Sequence, residues 1–293
     1  MRVFLTGAAG QVGKCFQSLV NKNYPNVTLL ATDRNQLDIT DESAVEAIIA
    51  VFKPDVIINA AAYTAVDRAE SERQLAFAVN AQAVGHLARA AKKHHVHLIH
   101  ISTDYVFSAE AYTPIKEDHP CQPQNIYGLS KLAGESEAMA CPHATIIRTS
   151  WVFSEFGNNF LKTMLRLADT HPTINVVADQ IGCPTYAGDI ASLLMKIIFS
   201  PEKPQGIYHY CGSGAVSWYD FARVILEQAW SDKMIAVKPA LNAITTEHYQ
   251  TPAKRPLYSV LNTGKISVSG FPPEPWLKSV PVVLAQLRKG SQL

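Results

Sequence analysis

The sequence predicts an α/β fold built on a doubly wound parallel sheet, with a smaller C-terminal region. In the first half of the chain, short apolar runs alternate with longer amphipathic stretches, which is typical of a parallel sheet covered by helices. The first apolar run leads directly into a glycine-rich turn and then into helix-like sequence. After Arg148 this alternation gives way to proline-rich sequence, which indicates a second region of different structure.

The strands are predicted at the apolar runs over residues 3–5, 28–31, 56–58, 98–101 and 145–147. Residues 41–52 place apolar side chains at helical spacing, with Asp41 as the predicted N-cap. Residues 71–93 are rich in alanine and end in Lys92 and Lys93, which favour a helix C-terminus. Both segments are therefore predicted to be helices that cross over between strands.

The glycine-rich turn follows the first strand with the spacing GxxGxxG. Gly7 allows a sharp turn, Gly10 leaves room for a pyrophosphate at the helix N-terminus, and Gly13 allows close packing of helix on strand. Backbone amides and the helix dipole then supply the binding. The strand, turn and helix together predict a Rossmann-like dinucleotide-binding unit, and this spacing is the form found in short-chain dehydrogenases.

Two residues that follow the second predicted strand bear on the choice of cofactor. Asp33 can accept hydrogen bonds from an adenosine ribose, which allows NADH. Arg34 can pair with a 2′-phosphate, which allows NADPH, unless it is only a solvent-exposed charge. We therefore expect NADPH or NADH as cofactor, with weak discrimination between the two.

The fourth predicted strand ends in Ser102 and Thr103, at the carboxyl edge where a doubly wound sheet binds its ligands. Because neighbouring strand residues point to opposite faces, only one of the two hydroxyls can reach a substrate carbonyl. The other hydroxyl is expected to support the sheet.

Tyr127 and Lys131 lie one turn apart on a predicted helix and therefore share one of its faces. A tyrosine hydroxyl is a poor acid at neutral pH, and a neighbouring ammonium lowers its pKa by stabilising the phenolate. On its own, a YxxxK spacing is more typical of an ordinary amphipathic helix. Together with the glycine-rich turn, it predicts an acid–base pair.

The second region contains two predicted helices, over residues 188–199 and 217–230. Ser217 and Asp220 form an S-x-x-D capping box at the start of the second of them. Residues 251–275 are rich in proline and polar side chains and are predicted to form an irregular loop.

A chain of 293 residues allows one large domain or two small ones. We predict a dinucleotide-binding Rossmann domain over residues 1–150, with a returning segment around residues 174–200. A mainly substrate-binding region is predicted over residues 151–173 and 201–293.

The composition excludes several classes of protein. The 26 basic and 25 acidic side chains leave a net charge of +1, which argues against nucleic-acid binding. No apolar run reaches the length of about 18 residues that a membrane span needs, and the N-terminus reads as a strand rather than a signal peptide. The 5 cysteines are scattered without CxxC spacing, so we expect reduced thiols and a cytoplasmic protein.

Four histidines fall close together before and within the fourth predicted strand. No neighbouring cysteine or aspartate supplies further ligands, so we predict no metal site there. We interpret these histidines as part of a solvated helix end and as hydrogen-bonded strand residues: His94, His95, His97 and His100.

Beside the glycine-rich turn, four blocks of sequence are distinctive: NAAAYTAVDRAE (59–70), STDYVF (102–107), YGLSKLAGE (127–135) and RTSWVF (148–153). Together these blocks resemble the dTDP-4-dehydrorhamnose reductase family of extended short-chain dehydrogenase/reductases. Further blocks extend the resemblance over nearly the whole chain: NNFLKTML (158–165), DQIGCPT (179–185), PAKRP (252–256) and LN (261–262).

The resemblance implies a role for individual residues. Thr103, Tyr127 and Lys131 fall at catalytic positions, whereas Asp104 and Trp151 fall where the family holds its sugar nucleotide. Cofactor contacts are implied for Gly10, Gln11, Val12, Asp38, Ile39, Ala62, Tyr63 and Thr64. Arg255 lies in a block of the substrate side, where it either contacts a diphosphate or is only a surface charge.

The activity implied is NAD(P)H-dependent reduction of the C4 ketone of dTDP-4-dehydro-L-rhamnose to dTDP-L-rhamnose, a precursor of cell-surface polysaccharide. Two alternatives stay open: reduction from the opposite face to dTDP-6-deoxy-L-talose, and a non-catalytic NADP-binding regulatory subunit. The intact Thr103, Tyr127 and Lys131 argue against the regulatory subunit. A homodimer is compatible with the family, but Cys15 replaces the acidic residue of a magnesium-linked dimer contact, which argues against that link.

Overall fold

The computed structural model describes residues 1–108 and 112–290, so the last three residues of the predicted region 201–293 lie outside the described residues. In chain order, the strands are β1 (Arg2–Thr6), β2 (Thr28–Thr32), β3 (Val56–Asn59), β4 (His97–Thr103), β5 (Ala144–Thr149), β6 (Val152–Phe153), β7 (Thr173–Val177), β8 (Ile181–Gly182), β9 (Thr185–Tyr186), β10 (Gly206–His209), β11 (Val216–Ser217) and β12 (Ala240–Ile244).

The α-helices in the same part of the chain are α1 (Gln11–Asn23), α2 (Glu42–Phe52), α3 (Val66–Ala69), α4 (Arg73–Phe77), α5 (Ala83–Lys93), α6 (Ile126–Ala138), α7 (Phe160–Ala168), α8 (Ala187–Phe199), α9 (Trp218–Ser231), α10 (Gly264–Val268) and α11 (Trp276–Gly290). A π-helical turn, Ala78–Gln82, joins α4 to α5, and a 3-10 turn, Asp104–Val106, follows β4. Over these described ranges, every helix is too short or too polar to cross a membrane.

The main sheet has six strands in the order β2, β1, β3, β4, β5, β10, and every neighbouring pair is parallel. The predicted doubly wound parallel sheet and its five predicted strands are confirmed, and β10 adds an edge strand. The chain passes from β1 to β2 on one side and then returns to β3 on the other. This reversal opens a crevice at the carboxyl ends of β1 and β3, where sheets of this kind bind ligands.

Helices cover both faces of the main sheet because its strands are apolar on both sides. On one face, α1 and α8 pack on the strands through buried side chains such as Phe16 and Leu194. On the other face, α2 and α5 pack through side chains such as Ile49 and Leu87. The crossover helices predicted from their apolar spacing therefore lie against the sheet.

Local signals place several helix ends where they were predicted. Asp41 caps α2, since its carboxylate accepts a hydrogen bond of 3.0 Å from the Ala44 N–H. The predicted helix over residues 71–93 contains the π-helical turn, in which the buried Asn80 amide donates to the Tyr63 carbonyl (3.0 Å) and to Ser130 Oγ (2.9 Å). The turn thus joins the loop after β3 to α6.

The smaller region is built around the parallel pair β7 and β12, beside which α7, α9 and α11 form an apolar cluster. Ser217 caps α9 by accepting a hydrogen bond of 3.0 Å from the Asp220 N–H. The Asp220 carboxylate accepts a hydrogen bond of 2.8 Å from the Ser217 hydroxyl, so this half of the capping box differs from the usual backbone contact.

The sheet topology divides the chain differently from the sequence prediction. β10 lies in the predicted substrate-binding region but pairs with β5 in the main sheet. β7 lies in the predicted returning segment around 174–200 but pairs with β12, whereas α8 of the same segment does pack on the main sheet. The predicted loop over residues 251–275 contains the short α10. The sequence of a short apolar strand does not show which other strand it will pair with, because strands pair through backbone groups that every residue has.

Gly134 permits the close packing of α6 on the π-helical turn. A Cβ at Gly134 would lie 2.0 Å from the Asn80 carbonyl oxygen, which cannot move without disturbing the turn. We therefore expect Gly134→Ala to lower the free energy of unfolding by about 1–3 kcal/mol. The matched control is Gly290→Ala on α11, where a Cβ meets no atom within 4 Å. Urea unfolding would measure both, and equal stabilities would contradict the packing argument.

Candidate active site

The carboxyl ends of the central strands line two adjoining cavities. The first, which we call the loop cavity, has a volume of about 490 Å³ and extends from Gly7 to Asp33 and Ile39. The second, which we call the central cavity, has a volume of about 640 Å³ and is lined by Thr103 and Tyr127. The two cavities adjoin each other at four lining residues that they share: Gly10, Ala60, Ala62 and Thr64.

The glycine-rich turn owes its shape to close backbone packing. Gly7 has a φ of +75°, and a Cβ there would lie 2.5 Å from the backbone of Ala60 after β3. A Cβ at Gly13 would lie 2.2 Å from the Gly7 carbonyl oxygen. Gly10 is less crowded and lines both cavities. The first and third glycines therefore permit the packing, and the second leaves the helix N-terminus open to the cavities.

The far end of the loop cavity contains the residues predicted to contact an adenosine. Asp33 Oδ1 accepts hydrogen bonds from the N–H groups of Asn35 (2.9 Å) and Gln36 (3.2 Å), which close the turn after β2. Arg34 is exposed at its rim. The pKa of Asp38 is lowered by hydrogen bonds from the Thr40 N–H and hydroxyl.

Residues 62–64, which follow β3, form one wall of the loop cavity. The Tyr63 hydroxyl donates to Glu72 Oε2 at 2.6 Å, and its N–H donates to Asn80 Oδ1 at 2.8 Å. Both contacts fix the backbone of this segment against α4 and the π-helical turn. Contacts with a cofactor from Ala62, Tyr63 and Thr64 stay a prediction.

Gln11 joins α1 to the smaller region. Its Oε1 accepts from Ser154 Oγ and from Asn159 Nδ2, each at 2.9 Å, and its Nε2 donates to the Val152 carbonyl at 3.2 Å. The cofactor contact of Gln11 stays a prediction, and because its side chain is engaged in the protein, its backbone N–H would have to make that contact. Val12 follows it and lines the central cavity.

Thr103, Tyr127 and Lys131 meet in the central cavity, as their predicted shared role requires. Thr103 Oγ1 donates to Asp104 Oδ1 at 3.0 Å and accepts from the Tyr105 N–H at 3.2 Å. The ring of Tyr127 packs edge to face on Tyr105, with 5.6 Å between the ring centroids. Lys131 is buried, and its Nζ donates to the Ile101 carbonyl at 2.7 Å.

Burial dominates the proton equilibria of this group. It raises the pKa of Tyr127, and the neighbouring Asp104 carboxylate raises it further, whereas the Thr103 hydroxyl lowers it. Burial also lowers the pKa of Lys131 to about 8, against a smaller opposite effect of Glu135. The lowering of the Tyr127 pKa by Lys131 stays a prediction, because Lys131 Nζ donates to the strand backbone here and desolvation of the phenol outweighs the other effects on its pKa.

Ser102 is the hydroxyl of the pair that supports the fold. Its Oγ donates to Glu135 Oε1 at 2.6 Å. Glu135 also forms a bidentate ion pair with Arg148, with N···O distances of 2.8 and 2.6 Å, and both side chains are nearly inaccessible to solvent. This cluster joins α6 to β4 and β5. In the sequence, Glu135 and Arg148 stand out only as parts of motifs, since a single sequence does not show that two distant charges pair.

Two buried oxygens in the central cavity have no partner within the described residues: Asp104 Oδ2 and Thr149 Oγ1. Burial raises the pKa of Asp104 to about 6, although the hydroxyls of Ser259 and Thr103 lower it. Unpartnered buried acceptors are costly unless a ligand satisfies them. Thr149 was not among the predicted site residues, because nothing in the strand sequence marks its orientation.

Trp151 lines the central cavity in an unusual backbone conformation, with a φ of +46°. Its ring stacks on Trp218 with a centroid distance of 3.5 Å and an interplanar angle of 6°. The edge of the ring occupies the space that a side chain at position 182 would need. Trp151 is thus both a wall of the cavity and part of the aromatic core of the smaller region. Trp218, which was not among the predicted site residues, is a second wall.

Arg255 is placed at the border between the central cavity and a third cavity of about 360 Å³. Its Nη2 pairs with Asp67 Oδ2 at 2.7 Å, and its Nε is buried without a partner among the described residues. The third cavity is lined mainly by residues of the smaller region, including Phe160, Asn175 and Gln180. Arg255 is therefore not a solvated surface charge, and its contact with a diphosphate stays a prediction.

The clustered histidines point in different directions. His94 Nε2 bonds to Glu46 Oε1 at 2.8 Å, and His97 Nε2 bonds to Thr145 Oγ1 at 2.8 Å. His100 faces Asn59 on the neighbouring strand. In residues 1–108 and 112–290, no three His, Cys, Asp or Glu side chains are arranged to hold a metal ion.

We expect the buried ion pair between Glu135 and Arg148 to affect the free energy of unfolding more than an exposed ion pair does. Glu135→Gln leaves the buried guanidinium without a counter-charge, so we expect the free energy of unfolding to fall by about 3–5 kcal/mol. The control is Glu46→Gln, which removes the charged partner of the exposed Lys93 and of His94 and should cost less than about 1 kcal/mol. Urea unfolding at neutral pH would compare the variants, and equal losses would contradict a special role of burial.

We expect Asp104 to make the free energy of unfolding depend on pH. Its pKa is raised from 3.8 to about 6 in the folded protein, so ionising Asp104 weakens the folded state as the pH rises. Relative to Asp104→Asn, we expect the unfolding free energy of the natural protein to fall by about 1–3 kcal/mol between pH 4 and pH 7. Urea unfolding of both proteins without ligands would measure this difference. A difference that is constant or that rises with pH would contradict the raised pKa.

Comparison with known proteins agrees with this geometry. Residues 1–289 match the family model described as the RmlD substrate binding domain. The chain is 47% identical over 285 residues to a dTDP-4-dehydrorhamnose reductase of Aggregatibacter actinomycetemcomitans, which covers 95% of this chain and 97% of the relative.

Two solved structures are also similar. A dTDP-4-dehydrorhamnose reductase from Clostridium acetobutylicum has a TM-score of 0.92 and 39% identity, over 98% of this chain and 100% of that chain. A dTDP-4-dehydrorhamnose reductase from Bacillus anthracis, solved in complex with NADP, has a TM-score of 0.90 and 37% identity, over 97% of this chain and 99% of that chain. This chain therefore belongs to the dTDP-4-dehydrorhamnose reductase family, as the sequence motifs predicted.

Proposed function

We propose that this protein reduces the C4 ketone of dTDP-4-dehydro-L-rhamnose to dTDP-L-rhamnose with NADPH or NADH. The observation that carries the proposal is the meeting of Thr103, Tyr127 and Lys131 in a cavity that continues to the glycine-rich turn. A phenol, a hydroxyl and an ammonium in one desolvated space suit proton transfer to a carbonyl oxygen. Membership of the reductase family supports the same substrate.

The residues of the loop cavity fit a dinucleotide. Gly10 borders the cavity without a side chain at the N-terminus of α1, where a pyrophosphate is favoured. Asp33 would accept from the adenosine ribose, Arg34 would pair with a 2′-phosphate, and Lys131 would hold the nicotinamide ribose. The reduced nucleotide supplies the hydride when it is bound. The NADP of the Bacillus anthracis relative supports the use of NADPH.

Tyr127 is the proposed acid. Its raised pKa keeps the phenol protonated at neutral pH, so that it can donate its proton to the ketone oxygen. The Thr103 hydroxyl, which faces the same cavity, would polarise the carbonyl. The charge of Lys131 would stabilise the phenolate that Tyr127 leaves behind.

The other cavity residues would hold the sugar nucleotide. Asp104 Oδ2 and Thr149 Oγ1 are unpartnered acceptors that sugar hydroxyls would satisfy. The stacked Trp151 and Trp218 offer an apolar wall to the sugar or the base. Arg255 lies between the central and third cavities, at the position where a diphosphate linking sugar and nucleoside would pass.

We also propose that the protein works in the cytoplasm, without a nucleic-acid partner. All 5 cysteines lie within the described residues and are free thiols, which suits a reducing compartment. A homodimer without a magnesium link stays a prediction. The buried Cys15, whose pKa is raised by desolvation, is poorly suited to ligate a metal at a subunit contact.

The activity is tested by incubating the protein with dTDP-4-dehydro-L-rhamnose and either NADPH or NADH. We expect loss of the reduced-nicotinamide absorbance and formation of dTDP-L-rhamnose, identified by NMR. Formation of dTDP-6-deoxy-L-talose would contradict the proposed face of reduction. Tight nucleotide binding without turnover would instead favour a regulatory subunit.

Tyr127→Phe tests the proposed acid. Because only the proton donor is removed, we expect turnover to fall by about 100-fold or more while the Kd for NADPH changes by less than about threefold. Steady-state kinetics and fluorescence titration would measure the two quantities. The control is Tyr24→Phe, since Tyr24 stacks on Phe199 and lines neither cavity. Undiminished turnover in Tyr127→Phe would remove Tyr127 from the mechanism.

A further inference from the structure

His100 is a fully buried histidine on β4 that the proposed mechanism does not use. On one side, its Nδ1 lies 3.1 Å from Asn59 Nδ2 on β3. On the other side, its Nε2 lies 3.5 Å from Lys131 Nζ on α6. The imidazole therefore connects the interior of the sheet to the ammonium of the candidate active site.

The orientation of the Asn59 amide is fixed by its other contacts. Asn59 Oδ1 accepts from Thr6 Oγ1 at 2.7 Å and from the Ala61 N–H at 3.2 Å. Because the oxygen serves these two donors, the amide nitrogen must face His100 and donate to its Nδ1. His100 Nδ1 is thus an acceptor and carries no proton.

The ring proton of His100 must then lie on Nε2. Burial and the nearby Lys131 charge hold the pKa of His100 well below its ordinary value, so the ring is neutral and has a single N–H. That N–H points toward Lys131 Nζ. A histidine in this tautomer offers Lys131 a donor, whereas an ammonium needs acceptors.

The other charged groups near Lys131 have partners of their own, although Glu135 still raises the pKa of Lys131 by less than burial lowers it. Glu135, one turn further along α6, pairs with Arg148 of β5 and accepts from Ser102 of β4. Asp104 and Tyr105, of the 3-10 turn after β4, act on Tyr127. Lys131 Nζ retains the Ile101 carbonyl as an acceptor at 2.7 Å. Among the described residues, His100 is therefore a titratable side chain in direct contact with the ammonium, with its Nε2 at 3.5 Å from Nζ.

We propose that His100 is a positioning residue for Lys131: held by Asn59 in the Nε2–H tautomer, it faces Nζ as a donor and so favours the neutral amine over the ammonium. The proposal rests on the proposed function, in which Lys131 acts as an ammonium. His100 thereby adds to burial in lowering the pH above which Lys131 loses its charge and reduction slows. Since the pKa of Tyr127 is raised, Lys131 is the first of the two groups to deprotonate as the pH rises.

The first experiment reads the tautomer directly, without any activity. Protein labelled with ¹⁵N in its histidine rings is studied by NMR from pH 6 to pH 9, and His100 is assigned from the signals lost in His100→Gln. We expect an unprotonated Nδ1 and a protonated Nε2 throughout this range. A proton on Nδ1, or a doubly protonated ring, would overturn the proposal.

The second experiment measures kcat/KM against pH. In His100→Gln, the amide reaches the position of Nε2 and can turn its carbonyl oxygen toward Lys131, which favours the ammonium. We expect the alkaline limb of the profile to move upward by about one pH unit. The control is His97→Gln on the same strand, since His97 bonds to Thr145. The alkaline limb of the His97→Gln profile should stay where it is in the natural protein. A uniform loss of activity with an unmoved limb in His100→Gln would mean a merely structural role and would overturn the proposal.

If His100→Gln does not fold, a variant of Asn59 tests whether Asn59 sets the tautomer of His100. Asn59→Asp replaces the amide donor with an acceptor, so His100 should carry its proton on Nδ1 and present an unprotonated Nε2 to Lys131. We expect the tautomer signals of one histidine to exchange and the alkaline limb to move upward. Unchanged signals would overturn the proposal. Absence of reductase activity in the natural protein would refute the proposed function alone, because the tautomer measurement does not depend on it.

Discussion

The buried cluster of Glu135, Arg148 and Ser102 holds α6 against β4 and β5, and the candidate active site depends on that attachment. Desolvating two charges is costly, so such a pair contributes less to net stability than to fixing one arrangement of the elements that it joins. α6 carries Tyr127 and Lys131, whereas β4 ends in Thr103. The attachment of α6 to β4 therefore also fixes where the phenol lies relative to the threonine hydroxyl.

Close backbone approach is the second condition for the site. Gly7 and Gly13 allow the turn after β1 to pack on the chain after β3 and on α1, and Gly134 allows α6 to pack on the π-helical turn. At each of these positions a Cβ would lie within 2.5 Å of a backbone atom. The glycines at these three positions therefore permit backbone packing around the site that a side chain would prevent.

Desolvation then determines the chemistry of the side chains. The same burial that raises the pKa values of Asp104 and Tyr127 lowers those of Lys131 and His100, since it disfavours every charged form. Near neutral pH the buried Tyr127 phenol and His100 imidazole are therefore neutral, whereas Asp104, with a pKa of about 6, and Lys131, with a pKa of about 8, keep most of their charge. A polar, water-poor environment suits the transfer of a proton to a carbonyl oxygen.

The sequence by itself determined the parallel α/β sheet, the glycine-rich turn, the cap at Asp41 and the pairing of Tyr127 with Lys131 on one helix face. These features follow from local periodicity and spacing, which a single chain displays directly. Only the tertiary structure decided that β10 joins the main sheet, that Ser102 rather than Thr103 supports it, and that Glu135 meets Arg148. It also brought Thr149 and Trp218 into the cavity and set the tautomer of His100. Those outcomes depend on contacts between residues far apart in the chain, and no local pattern encodes which partner a buried polar group finds.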